Sequence, residues 1–227
     1  MTGMLRLLRS REAGLSLIEL LIAMMLTGLI MTLGVWMFVA GTHSVSLAQS
    51  VDGGTRQASN GMNEAARMIR AATPNPLTNP SPGAAQNDPA VVSASANAIA
   101  FYAYVNLTGA ESPVMVRFSV DGSGRLIEQQ WKPNSATPGV NGHWDFPAPN
   151  TKPTSQRTLC SSIPASVTVF RYFNKAGTEL ASATLTDSTS RAAITSVQVT
   201  ITIQPTGAAS AVTISNTIGM SNVGSGS

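Results

Sequence analysis

Cysteine occurs once in the 227 residues, at Cys160, so no intrachain disulfide can form. A lone cysteine says nothing about redox compartment, and its side chain is expected to pack as a small buried apolar group. An intermolecular bridge is the alternative. Histidine occurs only at His43 and His143, far apart and without cysteine or carboxylate neighbours at ligand spacing, which argues against a metal centre. There is no G-x-S-x-G elbow, no H-E-x-x-H pair and no glycine-rich phosphate loop ending in lysine. No enzyme and no cofactor are therefore expected. Charged residues make up 11% of the chain, and none lies between Glu19 and Asp52. A gap of that length excludes an ordinary soluble N-terminus.

The gap is filled by an apolar run. Leu20 to Ala40 is interrupted only by Thr27, Gly28, Thr32 and Gly34, and about 20 apolar residues cross a bilayer core as a helix. A cleavable secretory signal has an apolar region of only about 7–15 residues. The small-x-small triplet Ser46-Leu47-Ala48 keeps ordinary signal cleavage before Gln49 as an alternative. Arg6, Arg9 and Arg11 precede the run and few basic residues follow it closely. The excess of positive charge places the N-terminus in the cytoplasm and the bulk of the chain outside. Glu19 sits at the mouth of the span, where a carboxylate is costly and usually functional.

Gly14-Leu15-Ser16-Leu17-Ile18-Glu19-Leu20 resembles the processing site of type IV pilins and pseudopilins, whose usual pattern is G-F-T-L-I-E-L. Leu15 and Ser16 stand in place of Phe and Thr. The resemblance implies cutting after Gly14 by a prepilin peptidase, N-methylation of Leu15, and assembly through the N-terminal helix with Glu19 as an assembly residue. Loss of residues 1–14 removes Arg6, Arg9, Arg11 and Glu12, so the formal charge falls from +3 to +1. The pI of about 9.4 therefore does not argue for nucleic acid as a partner.

Thr42 to Ala72 continues as a helix on the aqueous side. Met62, Ala65, Ala66 and Ile69 recur at three- and four-residue spacing, while Glu64, Arg67 and Arg70 can face away. Gly53-Gly54 marks a weak point where the helix is expected to kink or melt, and Pro74 to end it. Residues 73–98 and 132–164 hold 11 of the 13 prolines, which predicts loops there and strands between and after them. Strand signals run over 99–105, 114–120, 126–131, 167–173, 197–203 and 211–215, with turns at 121–124, 174–177 and 205–207. One apolar face per strand predicts an antiparallel sheet packed on one side, covered by the amphipathic half of the long helix.

Several residues invite a site and have a simpler reading. His143 beside Trp144 and Asp145 is a loop histidine with packed neighbours. Asp121-Gly122-Ser123-Gly124 is a hairpin turn rather than a calcium loop. Asn106-Leu107-Thr108 is a formal sequon of little weight. Trp36 and Trp131 are packing residues.

The last third looks like minor pilins and pseudopilins of the W or J type. Phe170-Arg171-Tyr172, the turn, Gly177-Thr178-Glu179-Leu180 and the alternating strand to Ile203 carry that likeness. The expected architecture is α+β and pilin-like. Residues 1–14 form a leader and 15–72 a long helix with its membrane half at 15–40. Residues 73–98 form a linker. A β domain spans 99–220 with an insertion at 132–164, and 221–227 form a tail. The implied function is a minor pilin or pseudopilin of a type IV pilus or a related secretion filament. Its implied partners are a prepilin peptidase, other major and minor pilin subunits and the inner-membrane assembly machinery. The implied location is the cytoplasmic membrane, then the filament. The alternative is a single-pass membrane-anchored extracellular binding or enzymatic domain, which predicts no cut after Gly14.

Overall fold

The computed structural model describes residues 16–105, 112–205, 207 and 210–223. The chain divides into two compact units, up to Ala48 and from Gln49 onward. Helix α1 runs from Leu17 to Arg70 and contributes to both. In the first unit every residue of α1 up to Ser46 is exposed. In the second, its buried positions are Gly54, Ala58, Gly61, Met62, Ala65, Ala66, Met68 and Ile69, one helical face at three- and four-residue spacing.

Hydrogen bonding along α1 is not interrupted at Gly53-Gly54, contrary to the expected break. Gly54 is buried, with Ile203 Cγ2 3.4 Å from where its Cβ would be. Close packing of that kind offsets the helix propensity that glycine lacks. The helix ends at Arg70, two residues short of the expected Ala72. The Ala72 N–H bonds to Ile69 O, and Ala72 then pairs with Ala103 of the sheet. Sheet pairing stops the helix before Pro74 is reached.

The second unit carries three antiparallel sheets. Strands β1 (Asn75–Pro76) and β2 (Asn87–Asp88) form a two-stranded one. Strands β3 (Val91–Ala94), β4 (Ala98–Ala103), β5 (Val114–Val120), β6 (Leu126–Trp131) and β7 (Ser155–Cys160) form a five-stranded meander in chain order. Strands β8 (Phe170–Phe173), β9 (Glu179–Leu180), β10 (Ser196–Ile203) and β11 (Val212–Gly219) form the third sheet, ordered β11-β10-β8-β9. A short helix α2 (Ser188–Ala192) precedes β10 and packs on β3.

Strands β1, β2, β3 and β7 lie inside the proline-rich stretches for which loops are expected. Prolines flank β3 and β7 and leave their ladder positions free, and Pro76 sits in a two-residue strand that is an edge of its sheet, which is where proline is tolerated. The expected one-sided sheet is also corrected. Ile99, Phe101, Val116, Phe118 and Leu126 face the helix stripe in one core, with Phe101 and Phe118 ring centroids 6.0 Å apart. Met115, Ile127 and Trp131 alternate with them on the opposite face and are buried as well. The 132–154 segment is anchored on that side. Phe146 lies 5.0 Å from Tyr102, and Arg117 Nη1 donates to Pro149 O at 3.2 Å.

Tyr172 on β8 ties the third sheet to the β3–β4 turn. Its hydroxyl accepts from the Ser95 N–H at 3.1 Å and donates to Ser95 O at 2.8 Å. Ala96 O accepts from the Val169 and Phe170 N–H groups. The described part of the expected tail, residues 221–223, follows β11 after Met220. The Val223 N–H bonds to Met220 O, and Val223 packs on the core.

Candidate processing and assembly site

Gly14 and Leu15 lie outside the described residues, as does Asn106-Leu107-Thr108. The described site begins at Ser16 and has a geometry that the residue types alone could have suggested. Ser16 Oγ accepts from the Glu19 N–H at 3.2 Å, and Glu19 Oε2 accepts from the Ser16 N–H at 3.2 Å. This is a reciprocal capping box, and Ser-x-x-Glu before an apolar run is its sequence signature. A carboxylate in the first turn also faces the positive end of the helix dipole. Glu19 therefore has a local partner in the backbone even though its helix offers it no cation.

From Leu20 to Ala40, α1 is apolar all round. Its best 18-residue window has a mean hydropathy of 2.1 and is 0% buried, long and apolar enough to cross a membrane. Leu17 is 83% exposed and Trp36 73%. Hydroxyls in the run bond within the helix: Thr27 Oγ1 to Ala23 O at 2.7 Å and Thr32 Oγ1 to Gly28 O at 2.8 Å. Donors satisfied this way reduce the penalty for polar groups in an apolar surrounding. Gly28, Gly34 and Gly41 have nothing within 4 Å of a Cβ position, so another helix could approach closely there.

The charged face of α1 in the second unit does not simply look into solvent. Arg67 grips Glu64 with Nε and Nη2, at 3.1 and 2.6 Å. Arg157 on β7 reaches both Glu64 and the buried Glu128 of β6. Burial pushes the Glu64 carboxyl up. The Arg67 hydrogen bond and the charges of Arg157 and Arg67 outweigh it, and the net direction is down. A cleft of about 450 Å³ opens beside this cluster, lined by Asn60, Asn63, Arg67, Arg157 and Thr158 among others. Its charges compensate one another, so the cluster clasps helix to sheet.

The remaining candidates are accounted for locally. Asp121 Oδ1 accepts from the Ser123 and Arg125 N–H groups and Oδ2 from Arg125 Nε, so the carboxylate is consumed by its turn. His143 Nδ1 sits 2.7 Å from Pro76 O. Asn75 clamps Trp144 next to it, with Nδ2 donating to Trp144 O at 2.8 Å and Oδ1 accepting from the Trp144 N–H at 3.1 Å. Cys160 is buried, and burial pushes its thiol up to about 11. Among the described residues no group of three or more His, Cys, Asp or Glu could hold a metal.

A long apolar helix whose distal half packs on antiparallel sheets is an α+β, pilin-like fold. Residues 9–35 match the family model of the prokaryotic N-terminal methylation motif, a stretch that includes Arg9, Arg11, Gly14, Leu15 and Glu19. The match supports a type IV pilin-like family and a prepilin peptidase substrate. That family is structural rather than enzymatic. The motif and the apolar helix together support a membrane-anchored pilin. Comparison with curated proteins finds no match.

Proposed function

We propose that the protein is a minor pilin or pseudopilin, most like the W or J type, serving a type IV pilus or type II secretion-like filament. Residues 1–14 are removed as a leader after Gly14, and Leu15 is methylated. Residues 15–40 hold the chain in the cytoplasmic membrane with its N-terminus in the cytoplasm. They later pack against the helices of other major and minor subunits. A prepilin peptidase and the inner-membrane assembly machinery are the remaining partners. Residues 99–220 form the domain presented outside.

One observation carries this reading. The N-terminal part of α1 buries none of its large apolar side chains. An apolar helix surface of that extent must be covered by lipid or by other helices. The Gly14–Leu20 motif selects a helix that does both in turn. Intact-mass measurement of the membrane-extracted protein tests it. A chain beginning at Leu15 with one added methyl group is expected. An uncut leader supports a plain membrane anchor instead, and a chain beginning at Gln49 supports ordinary secretion.

A further inference from the structure

The described carboxylates of the second unit are engaged with one exception. Asp52, Glu64, Asp121, Glu128 and Glu179 each face an arginine. Asp145 accepts from Asn134 Nδ2 at 2.7 Å, and Asp187 caps α2 by accepting from the Ser190 N–H at 2.8 Å. The exception is Asp88 on β2. It is half-buried, yet among the described residues no ion pair or hydrogen bond holds its carboxylate. Asp88 lines a cavity of about 310 Å³ that Arg191 of α2 also lines. Two carbonyls fix that guanidinium: Nε donates to Val91 O at 3.2 Å and Nη1 to Thr186 O at 2.9 Å. Neither bond uses Nη2, and no described carboxylate lies within ion-pair distance of Arg191. The rest of the lining is mostly apolar and includes Ala90, Ile194 and Val223.

We propose that this cavity binds a small zwitterion, an α-amino acid or a dipeptide, with its ammonium group at Asp88 and its carboxylate at Arg191. A half-buried charge without a partner is unfavourable, and a ligand of opposite charge offsets that cost. The planar fork of an arginine matches a carboxylate, and the two carbonyls hold this one oriented before any ligand arrives. The two signs together select the ligand. An anion alone meets Asp88, a cation alone meets Arg191, and a neutral molecule leaves both charges unanswered. The cleft beside Glu64 differs in this respect, because its charges compensate one another within the protein. The volume lies at the lower end of the range for small-molecule sites, about 300–1,000 Å³, which restricts the ligand to a few heavy atoms. The apolar lining suits a short aliphatic side chain. The cavity lies wholly in the second unit, and the proposal does not depend on the filament reading.

The test uses the full chain in nonionic detergent micelles, with binding followed by ligand-observed NMR titration. The probes are L-alanine, L-alanyl-L-alanine, and the dipeptide either N-acetylated or C-amidated. Saturable binding of L-alanine or of L-alanyl-L-alanine is expected, and the tighter of the two fixes the ligand length. Each single-charge derivative should bind at least about tenfold more weakly than the dipeptide, since a hydrogen bond to a charged group contributes roughly that factor. Asp88→Asn removes no bond of the fold and should weaken the zwitterion by a similar factor. Ala85→Phe, at an exposed position of the lining, should close the cavity and abolish binding. Lys175→Ala, in a distant turn, should change nothing. Failure of both zwitterions to bind would overturn the proposal. So would N-acetylated dipeptide binding as tightly as its parent, or affinity indifferent to Asp88→Asn.

Discussion

Arg157 holds Glu128 by two contacts, Nε to Oε2 at 2.8 Å and Nη2 to Oε2 at 2.7 Å, while Glu128 is 1% exposed and Arg157 faces solvent over half its surface. One arginine thus compensates a carboxylate at the bottom of the sheet and, on its other side, engages Glu64 of α1. The helix is fastened to the sheet by charge at its polar margin and by the Met62–Ile69 stripe at its apolar one.

Removing that arginine should be expensive. Arg157→Ala leaves Glu128 as an uncompensated buried charge, and breaking such a pair costs about 3 kcal/mol. The half-exposed guanidinium puts the cost at the lower end of the usual range. Arg157→Met combined with Glu128→Gln should recover most of the loss, since no buried charge remains. Denaturant unfolding of the two variants and wild type measures both. A single variant no less stable than the double one would show that the pair does not compensate Glu128.

Acid should act through the same cluster. The Glu64 carboxyl lies below its ordinary value of 4.5 because the Arg67 bond and the Arg157 and Arg67 charges outweigh burial. A carboxyl depressed in the folded state contributes stability that is fully present above the unfolded value. That stability is lost as pH falls through the lower folded value. At the alkaline end the sign reverses. Burial raises the Cys160 thiol from 9.0 to about 11, so the folded chain holds the proton longer, and stability falls as pH rises from 9.0 to about 11. Cys160→Ala should reduce the alkaline slope most between pH 9 and 10, below the onset of Tyr102 and Tyr172, whose hydroxyls burial also raises from 10.0, and leave the acid limb unchanged. An unaltered alkaline slope in the variant would show that the thiol is not its source.

Two hairpins built alike should respond differently to the same substitution. Asp121 and Asn174 each accept from two backbone N–H groups of their own turns, and each turn closes on a left-handed glycine, Gly124 at φ +70 and Gly177 at φ +78. Gly177→Ala meets nothing within 4 Å and should cost about 1 kcal/mol from the left-handed backbone alone. A Cβ at Gly124 would lie 2.4 Å from Ile163 O. Gly124→Ala should therefore cost clearly more, because backbone has to move. Equal thermal shifts for the two variants would contradict the close approach.

The β5 and β6 strands were legible to the residue, because Val114–Val120 and Leu126–Trp131 alternate and an Asp-Gly-Ser-Gly turn separates them. Strand β10 was legible for the same reason. Strand β7 was not. Ser155-Gln156-Arg157-Thr158 is exposed at every position, as an edge strand held mainly by its ladder can be, so no hydrophobic period marks it. Strand β3 is too short to stand out from the prolines around it. The pairing of Glu64 with Arg157 joins residues far apart in the chain, and no local pattern announces it. Ser16 and Glu19 were visible as letters of the processing motif, and that reading hid the capping box they also form.

The segment 132–154 should come loose when Asn75 is shortened. The Asn75 amide supplies both a donor and an acceptor to the Trp144 backbone, and both residues are buried. Asn75→Ala leaves those backbone groups without partners, at a cost of about 1–3 kcal/mol. Amide exchange of Trp144 should quicken while that of β5 stays slow. Equal protection of Trp144 in variant and wild type would mean that the clamp does not hold the segment.

Glu19 can act as a helix cap, as an assembly charge, or as both, and the two roles separate by substitution. The capping box would survive the proposed cut after Gly14, because the Ser16 N–H would remain an amide with Leu15 as the N-terminus. The α-amino group of Leu15 would then be the nearest new cation. In a filament, the corresponding group of a neighbouring subunit could take its place, since a charge in an apolar core requires a partner. A slip of one residue would leave both charges unpaired, so pairing would fix axial register. Glu19→Gln keeps an acceptor for the Ser16 N–H and removes the charge. Ser16→Ala removes the cap and keeps the charge. If register is the role, Glu19→Gln and Glu19→Ala should both insert and be processed normally, yet fall in the filament fraction, while Ser16→Ala assembles. If capping is the whole role, Ser16→Ala and Glu19→Ala should fail together and Glu19→Gln should assemble. Quantifying membrane and filament fractions for the four chains decides between them, and normal assembly of Glu19→Ala would remove both roles.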